Sequence, residues 1–384
     1  MVDCCNTESK GSEEMEQTKA ATRDYPSFSE TPWALWDVLY ARRSHRKYLP
    51  GEFEPAFFTS LEEVVNLALS VRGAEEGSLK VVADSERVER IKRRIHKGTQ
   101  GKINLWLNRA PVAGFLVLAV PRVDAKSDRP RELPLVSMAA EDVVLWLTEA
   151  GLGTCWLGGL NQREVAQTLG LDREAYVSAV IPFGKPKPRV KAMDVDHLLY
   201  RQVSRKRKPL EDIAYLETMD KPYAVHEPAW GPFSAPATQD VAGLLRRLEE
   251  KREGGAGVPL GLALEACFEA ARIAPSAGNT QQWHFIGVRR GEALTELARA
   301  CGVEGAWRAA VVGAAEPDRS YLYTMLEKPF WMIDVPIALS QMSLMAASMG
   351  LAVEVCVRDL DESVVNSVAG LKPNLRAVGV LGMR

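Results

Sequence analysis

Residues 274–285 read Ala-Pro-Ser-Ala-Gly-Asn-Thr-Gln-Gln-Trp-His-Phe, and the reading of this stretch decides the fold. It lies between an amphipathic run, Leu262 to Ile273, that predicts a helix, and a strand-like run, His284 to Val288. Pro275 and Gly278 interrupt regular structure. Ser276, Asn279, Thr280 and Gln281 then put four hydrogen-bonding side chains on one short loop. Planar amides donate and accept along one edge, which suits a flat heterocycle with mixed donors and acceptors. On composition alone the loop is a polar surface turn, and two other segments decide between these readings.

The first is Arg42-Arg43-Ser44-His45-Arg46-Lys47-Tyr48, which follows Thr31-Pro32-Trp33-Ala34-Leu35-Trp36-Asp37-Val38-Leu39-Tyr40. Thr31 reads as an N-cap and Pro32 as the first helical residue. The arginines then fall where that helix ends, and guanidinium forks with a hydroxyl between them suit a phosphate. A solvated basic helix end is the alternative. The second is Gly151-Leu152-Gly153-Thr154-Cys155-Trp156-Leu157-Gly158-Gly159-Leu160, at the end of an apolar helix from Met138 to Ala150. Gly151 reads as its left-handed cap, and Gly158 and Gly159 allow backbone to approach a ligand. The Gly-x-Gly here is not a dinucleotide fingerprint, which follows a strand and opens a helix.

Together these segments resemble the FMN-dependent nitroreductase family, with its Arg-x-Ser-x-Arg start, Pro-Ser-x-x-Asn-x-Gln loop and Gly-Leu-Gly-Thr-Cys-Trp-x-Gly-Gly turn. The basic stretch Arg205-Lys206-Arg207-Lys208-Pro209-Leu210-Glu211-Asp212-Ile213 resembles the family's tail. Gln282 departs from the pattern, which usually has Pro there. The resemblance runs from about Pro32 to the C-terminus. It implies an α+β, nitroreductase-like fold, a mixed sheet wrapped by helices. Strand-like runs at Val112–Val120, Ala179–Phe183, Phe285–Val288, Ala309–Gly313 and Ala377–Leu381 between apolar helices agree with that class.

The chain of 384 residues exceeds one ordinary core. Hydrophobic residues make up 46% and charged residues 26%, with a formal net charge of −2, so no whole-chain attraction to nucleic acid or membrane follows. The apolar run Ala110 to Pro121 is too short to span a bilayer. The six cysteines and five histidines show no metal-ligand spacing. No secretory signal is visible, which predicts a reducing, cytoplasmic setting. Residues 1–30 are polar and predict disorder.

The same unit occurs twice in the sequence. Arg42-Arg43 recurs as Arg246-Arg247, an offset of 204; Gly151-Leu152 recurs as Gly350-Leu351, an offset of 199; and Ala179 to Gly184 is echoed by Ala377 to Gly382, an offset of 198. This predicts tandem copies at 31–217 and 241–384, joined by a linker at 218–240. The copies have lost complementary parts. In copy one the counterpart of the polar loop, near Ser70 to Val82, has neither the Pro-Ser pair nor the Asn-x-Gln. In copy two the basic element reads Arg246-Arg247-Leu248-Glu249-Glu250, the glycine turn reads Leu351-Ala352-Val353-Glu354-Val355-Cys356, and Arg384 is reached before any basic tail.

In the family, two subunits intertwine around FMN at their interface, so the resemblance implies a monomeric pseudo-dimer with one working site and one vestigial site. By the same resemblance Arg42, Ser44, Arg46, Arg205 and Arg207 would hold the phosphate and ribityl chain, and Arg43 would lie along the ring edge. Gly158 and Gly159 would approach the flavin, and Pro275, Ser276, Asn279 and Gln281 would contact it from the second copy. No protein catalytic residue is implied, since the flavin carries the chemistry. Trp156, Phe330 and Trp331 are candidates for the acceptor pocket. The implied activity is NAD(P)H-dependent reduction of nitroaromatics, quinones or similar acceptors. Alternatives on the same fold are biosynthetic dehydrogenation, dehalogenation or flavin breakdown, or a flavin-binding protein without turnover.

Overall fold

The structure, a computed structural model, describes residues 34–97, 102–188, 207–224, 240–250, 258–317 and 328–384. The expected disordered segment 1–30, the N-cap Thr31, Pro32, Arg205 and most of the expected linker lie outside the described residues.

The first half runs α1 (Ala34–Ala41), α2 (Pro55–Arg72), β1 (Leu79–Val82), α3 (Ser85–Arg94), β2 (Gly114–Pro121), α4 (Glu132–Glu149), β3 (Gly153–Thr154), α5 (Gln162–Leu169) and β4 (Ala175–Gly184). After β5 (Ala214–Leu216), the second half runs α6 (Val241–Glu249), α7 (Leu260–Ile273), β6 (Trp283–Val288), α8 (Gly291–Ala300), β7 (Ala309–Ala315), α9 (Trp331–Ser348), β8 (Val353–Cys356), α10 (Glu362–Ala369) and β9 (Arg376–Met383). The first sheet has the order β1-β2-β4-β3 and the second β5-β6-β7-β9-β8, so the four-strand order of the first recurs in the second. The fold is of the nitroreductase-like α+β class that the sequence predicts.

Local detail repeats as well. Asn161 and Asp361 each cap the N-terminus of a helix with their side chains, and Gly170 and Gly370 end those helices at φ 66° and 59°. Between β2 and β4 the register skips Ser178; between β7 and β9 it skips Val378. A bulge of this kind leaves carbonyls off the ladder, and each is closed from the opposite half. Lys328 Nζ donates to Ser178 O at 2.6 Å and Val177 O at 3.5 Å, while Arg129 donates to Ala377 O at 3.1 Å and Val378 O at 3.4 Å.

The fifth strand crosses over. β5 follows the first half in sequence but pairs in parallel with β6, Ala214 opposite Phe285. Glu217 N–H donates to Gly287 O, Met219 N–H to Ala369 O and Tyr223 N–H to Ala214 O. The start of the expected linker is therefore built onto the second sheet.

Helices α4 and α9 pack together at the centre, each with nearly every residue buried. A helix apolar all round is a core helix, and the polar residues in these two are paired. Gln341 Nε2 donates to Glu141 Oε1 at 2.7 Å, and Ser340 Oγ donates to Asp142 Oδ1 at 2.5 Å. Gly151 and Gly350 cap these helices 199 positions apart, an offset that makes Glu141 the counterpart of Ser340 and Asp142 that of Gln341. The contact is thus the same pair made twice, the pattern of a two-fold interface. Arg72, at the end of α2, forks onto Asp142 at 2.7 and 2.8 Å and reaches Ser343 Oγ at 2.9 Å.

Removing one partner of a buried ion pair leaves a charge without compensation. Arg72→Ala is expected to cost about 3–5 kcal/mol by urea unfolding, and Arg72→Met with Asp142→Leu to recover most of it. Equal losses in both variants would show that the cost is lost packing.

Candidate functional site

Helix α1 buries Leu35, Trp36, Val38 and Leu39, which directs the chain beyond Ala41 along the edge of the first sheet. There Ser44 bridges Thr154 in parallel, and His45 N–H donates to Thr154 O at 2.7 Å. Gly153 is required for this approach, because a Cβ there would lie 2.7 Å from the His45 ring. The basic element and the glycine turn are therefore held side by side. Arg42 is buried, whereas Arg43, Ser44 and Arg46 are half-buried. Burial raises the Cys155 thiol, partly offset by Arg46, a hydrogen bond with Ser44, and Arg42.

Glu141 lies beneath this element. Arg42 Nε is 3.9 Å from its Oε1, and Trp156 Nε1 donates to its Oε2 at 2.9 Å. Burial pushes the carboxyl up to about 7, opposed by Arg42 and by the bonds from Gln341 and Trp156. Gly158 lies against Phe330, where a Cβ would be 2.8 Å from the ring, and Gly159 O accepts from Asn104 Nδ2. Trp331 turns instead toward Arg376, 5.3 Å from the ring centre, so of the three aromatic candidates only Trp156 and Phe330 flank the glycine turn.

The second half brings the polar loop. Gly278, Asn279 and Gln281 have φ of 56°, 53° and 52°. Two non-glycine residues in the left-handed region within one loop are backbone strain of the kind that persists at functional sites. Asp334 of α9 anchors the loop, accepting Ala277 N–H on its two oxygens at 3.1 and 3.0 Å, and burial pushes its carboxyl up to about 8. Pro275, Ser276 and Asn279 are half-buried. Ser276 Oγ accepts from Gln281 N–H at 3.1 Å.

The first half's tail docks on this loop. Lys208 N–H donates to Gln281 Oε1 at 2.8 Å and Lys208 Nζ to Gln281 O at 2.9 Å, while Gln281 Nε2 donates to Asn279 O at 3.2 Å. Arg207 forks onto Ala274 O and Ile273 O at 2.5 and 2.9 Å, at the C-terminal end of α7. Arg207 and the buried Gln281 thus tie tail to loop. Tyr40 Oη donates to Glu269 Oε1 at 3.0 Å, tying α1 to α7.

The start of α9 meets both the glycine turn, through Phe330 at Gly158, and the polar loop, through Asp334 at Ala277, while Ser44 and His45 hold the basic element at Thr154. The guanidiniums and hydroxyl of the basic element and the hydroxyl and amide of the loop are donor types that fit an anionic cofactor with a flat, amide-like ring. Glu141, Asp334 and Gln341, which support these groups, escaped the sequence reading. Their signal is polar residues inside apolar helical runs, which need buried partners.

The symmetry-related position carries different side chains. Its loop, residues 73–78, is held by Glu75 N–H donating to Glu132 Oε2 at 3.3 Å. Arg358 pairs with Glu132 at 3.1 Å and Arg131 with Asp359 at 2.6 Å. Arg247 Nη2 donates to Gly350 O at 2.9 Å, and Arg246 is exposed.

The chain belongs to the nitroreductase family, whose model matches residues 12–185 and 258–306, more than half of it. An Archaeoglobus fulgidus protein named "Putative NADH dehydrogenase/NAD(P)H nitroreductase" is 31% identical over 127 residues, covering 31% of this chain and 70% of that protein. Among solved structures, an FMN-dependent nitroreductase from Clostridium difficile R20291 is 22% identical, covering 43% of this chain and 95% of its own, with a TM-score of 0.32. A Thermotoga maritima protein described as a "putative nitroreductase" is 14% identical, covering 94% of this chain and 97% of its own, with a TM-score of 0.41. Among the described residues no helix is long and apolar enough to cross a membrane.

Glu141 gives the site a pH dependence. Its folded pKa, about 7, lies above the ordinary 4.5, so the stability it contributes is complete below pH 4.5 and is lost as pH rises through about 7. Glu141→Gln lacks that loss. In urea unfolding across this range the variant is expected to gain on the wild type as pH rises; parallel profiles would exclude the assignment.

Proposed function

We propose that the chain is an FMN-dependent NAD(P)H oxidoreductase with one composite cofactor site, made by the first half's basic element and glycine turn and the second half's polar loop. The observation that supports this is that the basic element is held against the glycine turn at Thr154, while the start of α9 touches that turn through Phe330 and the strained loop through Asp334. On this reading the chain is a tandem of two nitroreductase-like domains acting as its own dimer.

Bound FMN would accept hydride from NAD(P)H and pass it to a nitroaromatic, quinone or similar acceptor. The chain's own residues bind and orient. Arg43, Ser44 and Arg46 offer charge-assisted and hydroxyl hydrogen bonds to a phosphate. Ser276 and Asn279 offer a hydroxyl and an amide to the ring and ribityl side. Asp334 and Gln281 hold the loop that presents them, and Trp156 and Phe330 lie at the glycine turn. Arg205 belongs to the expected phosphate set and lies outside the described residues.

Flavin titration of the purified chain is expected to saturate at one FMN per chain. Two per chain would overturn the single-site reading, and none would overturn the flavin reading. Ser44→Ala or Arg46→Ala should weaken FMN binding by roughly fivefold or more, since each lost bond contributes on the order of 1–3 kcal/mol. Arg246→Ala should leave the affinity unchanged.

Because both contributions lie in one chain, their effective concentration is fixed by the connection between the halves. Light scattering of the FMN-loaded protein at high dilution is expected to report a monomer that keeps its flavin. Flavin loss in step with dissociation of a larger assembly would place the site between chains.

A further inference from the structure

Glu269 lies one turn before the end of α7 and is 2% exposed. A buried carboxylate needs donors, and two residues supply them. Arg272, on the same helix, donates from Nε to Oε2 and from Nη2 to Oε1, each at 2.6 Å. Tyr40 of α1 donates from Oη to Oε1 at 3.0 Å. Arg272 neutralises the carboxylate and orients it without leaving α7, whereas Tyr40 carries the contact to the other half.

Both ends of this bond lead directly into the candidate site. The Tyr40 ring stacks on Trp36, with centroids 5.6 Å apart, and both residues are buried. Arg42 N–H donates to Val38 O at 3.0 Å, so the helical turn that holds Tyr40 also starts the basic element. Beyond Glu269 the helix ends at Ile273, and Ala274, Pro275 and Ser276 follow at once. Asp334 ties the polar loop to α9, and Arg207 ties its beginning to the tail. The bond between Tyr40 and Glu269 ties it to the basic element.

The symmetry-related position cannot make this bond. The offset of 204 that carries Arg42 to Arg246 carries Tyr40 to Leu244, which is buried and has no hydroxyl. A bond that served the two-fold frame would recur in both halves, as the contact of α4 with α9 does. This one accompanies the basic element that keeps Ser44 and Arg46.

We propose that Glu269 is a positioning residue of the composite site, setting through Tyr40 the separation between the basic element and the polar loop. The inference rests on the reading of that site as an FMN site. Elements already held at the right separation need not be ordered by the ligand, so breaking the link weakens cofactor binding as well as folding.

Tyr40→Phe is the direct test, because it removes the hydroxyl and leaves the ring and the Glu269–Arg272 pair in place. The full chain, freed of flavin, is titrated with FMN by fluorescence, and its urea midpoint without FMN is measured in parallel. Tyr40→Phe is expected to raise the FMN Kd about tenfold, the lower end of what one hydrogen bond to a charged group contributes. In a Glu269→Leu background, where the hydroxyl has lost its acceptor, the same change should have no further effect. A lower urea midpoint with an unchanged Kd, or an equal effect of Tyr40→Phe in both backgrounds, would overturn the proposal. FMN binding that Ser44→Ala weakens and Tyr40→Phe does not would overturn the proposal alone. Failure of the wild-type chain to bind FMN would overturn it together with the cofactor reading.

Discussion

The buried contact between α4 and α9 is the constraint on which the rest depends. Each helix places two polar residues in the middle of an apolar surface, and each pair is completed by the opposite half. Glu141 needs Gln341, and Asp142 needs Ser340 and Arg72. An unpaired buried polar group costs more than a made hydrogen bond returns, so the register between the halves is set within one residue. That register fixes where the start of α9, with Phe330 and Asp334, meets the glycine turn and the polar loop.

The candidate site inherits its asymmetry from substitutions laid over this two-fold frame. At the start of α9 stand Phe330, against Gly158, and Asp334, under Ala277. At the start of α4 stand Arg131 and Glu132, which reach Asp359 and Arg358. The first position packs a buried aromatic ring against a glycine, whereas the second pairs opposed charges. Exposed pairs of that kind contribute little to stability, so their weight lies in occupying the position.

Much of this was legible in the sequence. The apolar helices, the longer strands and the offset near 200 follow from residue pattern alone; four of the observed strands extend the predicted runs by one to four residues at an end, and β2 starts two residues later and ends one later than predicted. The short strands β1, β3, β5 and β8 were not read, because two to four residues carry too little periodicity and their pairing is decided by distant neighbours. Val353–Cys356 had read only as a lost glycine turn. Within the site, the types of residue were legible but not their allegiance. Gln281 looks like a ligand until Lys208, 73 positions away, takes its amide oxygen. Glu141 and Asp142 stand in an apolar run that had read simply as a core helix.

The reciprocal insertion of Lys328 and Arg129 makes each sheet incomplete by itself. The carbonyls at Ser178 and Val378 sit where a strand has slipped out of register, and each is closed by a cation borrowed from across the molecule. Peeling one half away would uncover these carbonyls and take both cations from them at once. Loss of order in either sheet is thereby felt by the other, which ties the stability of the two sheets together.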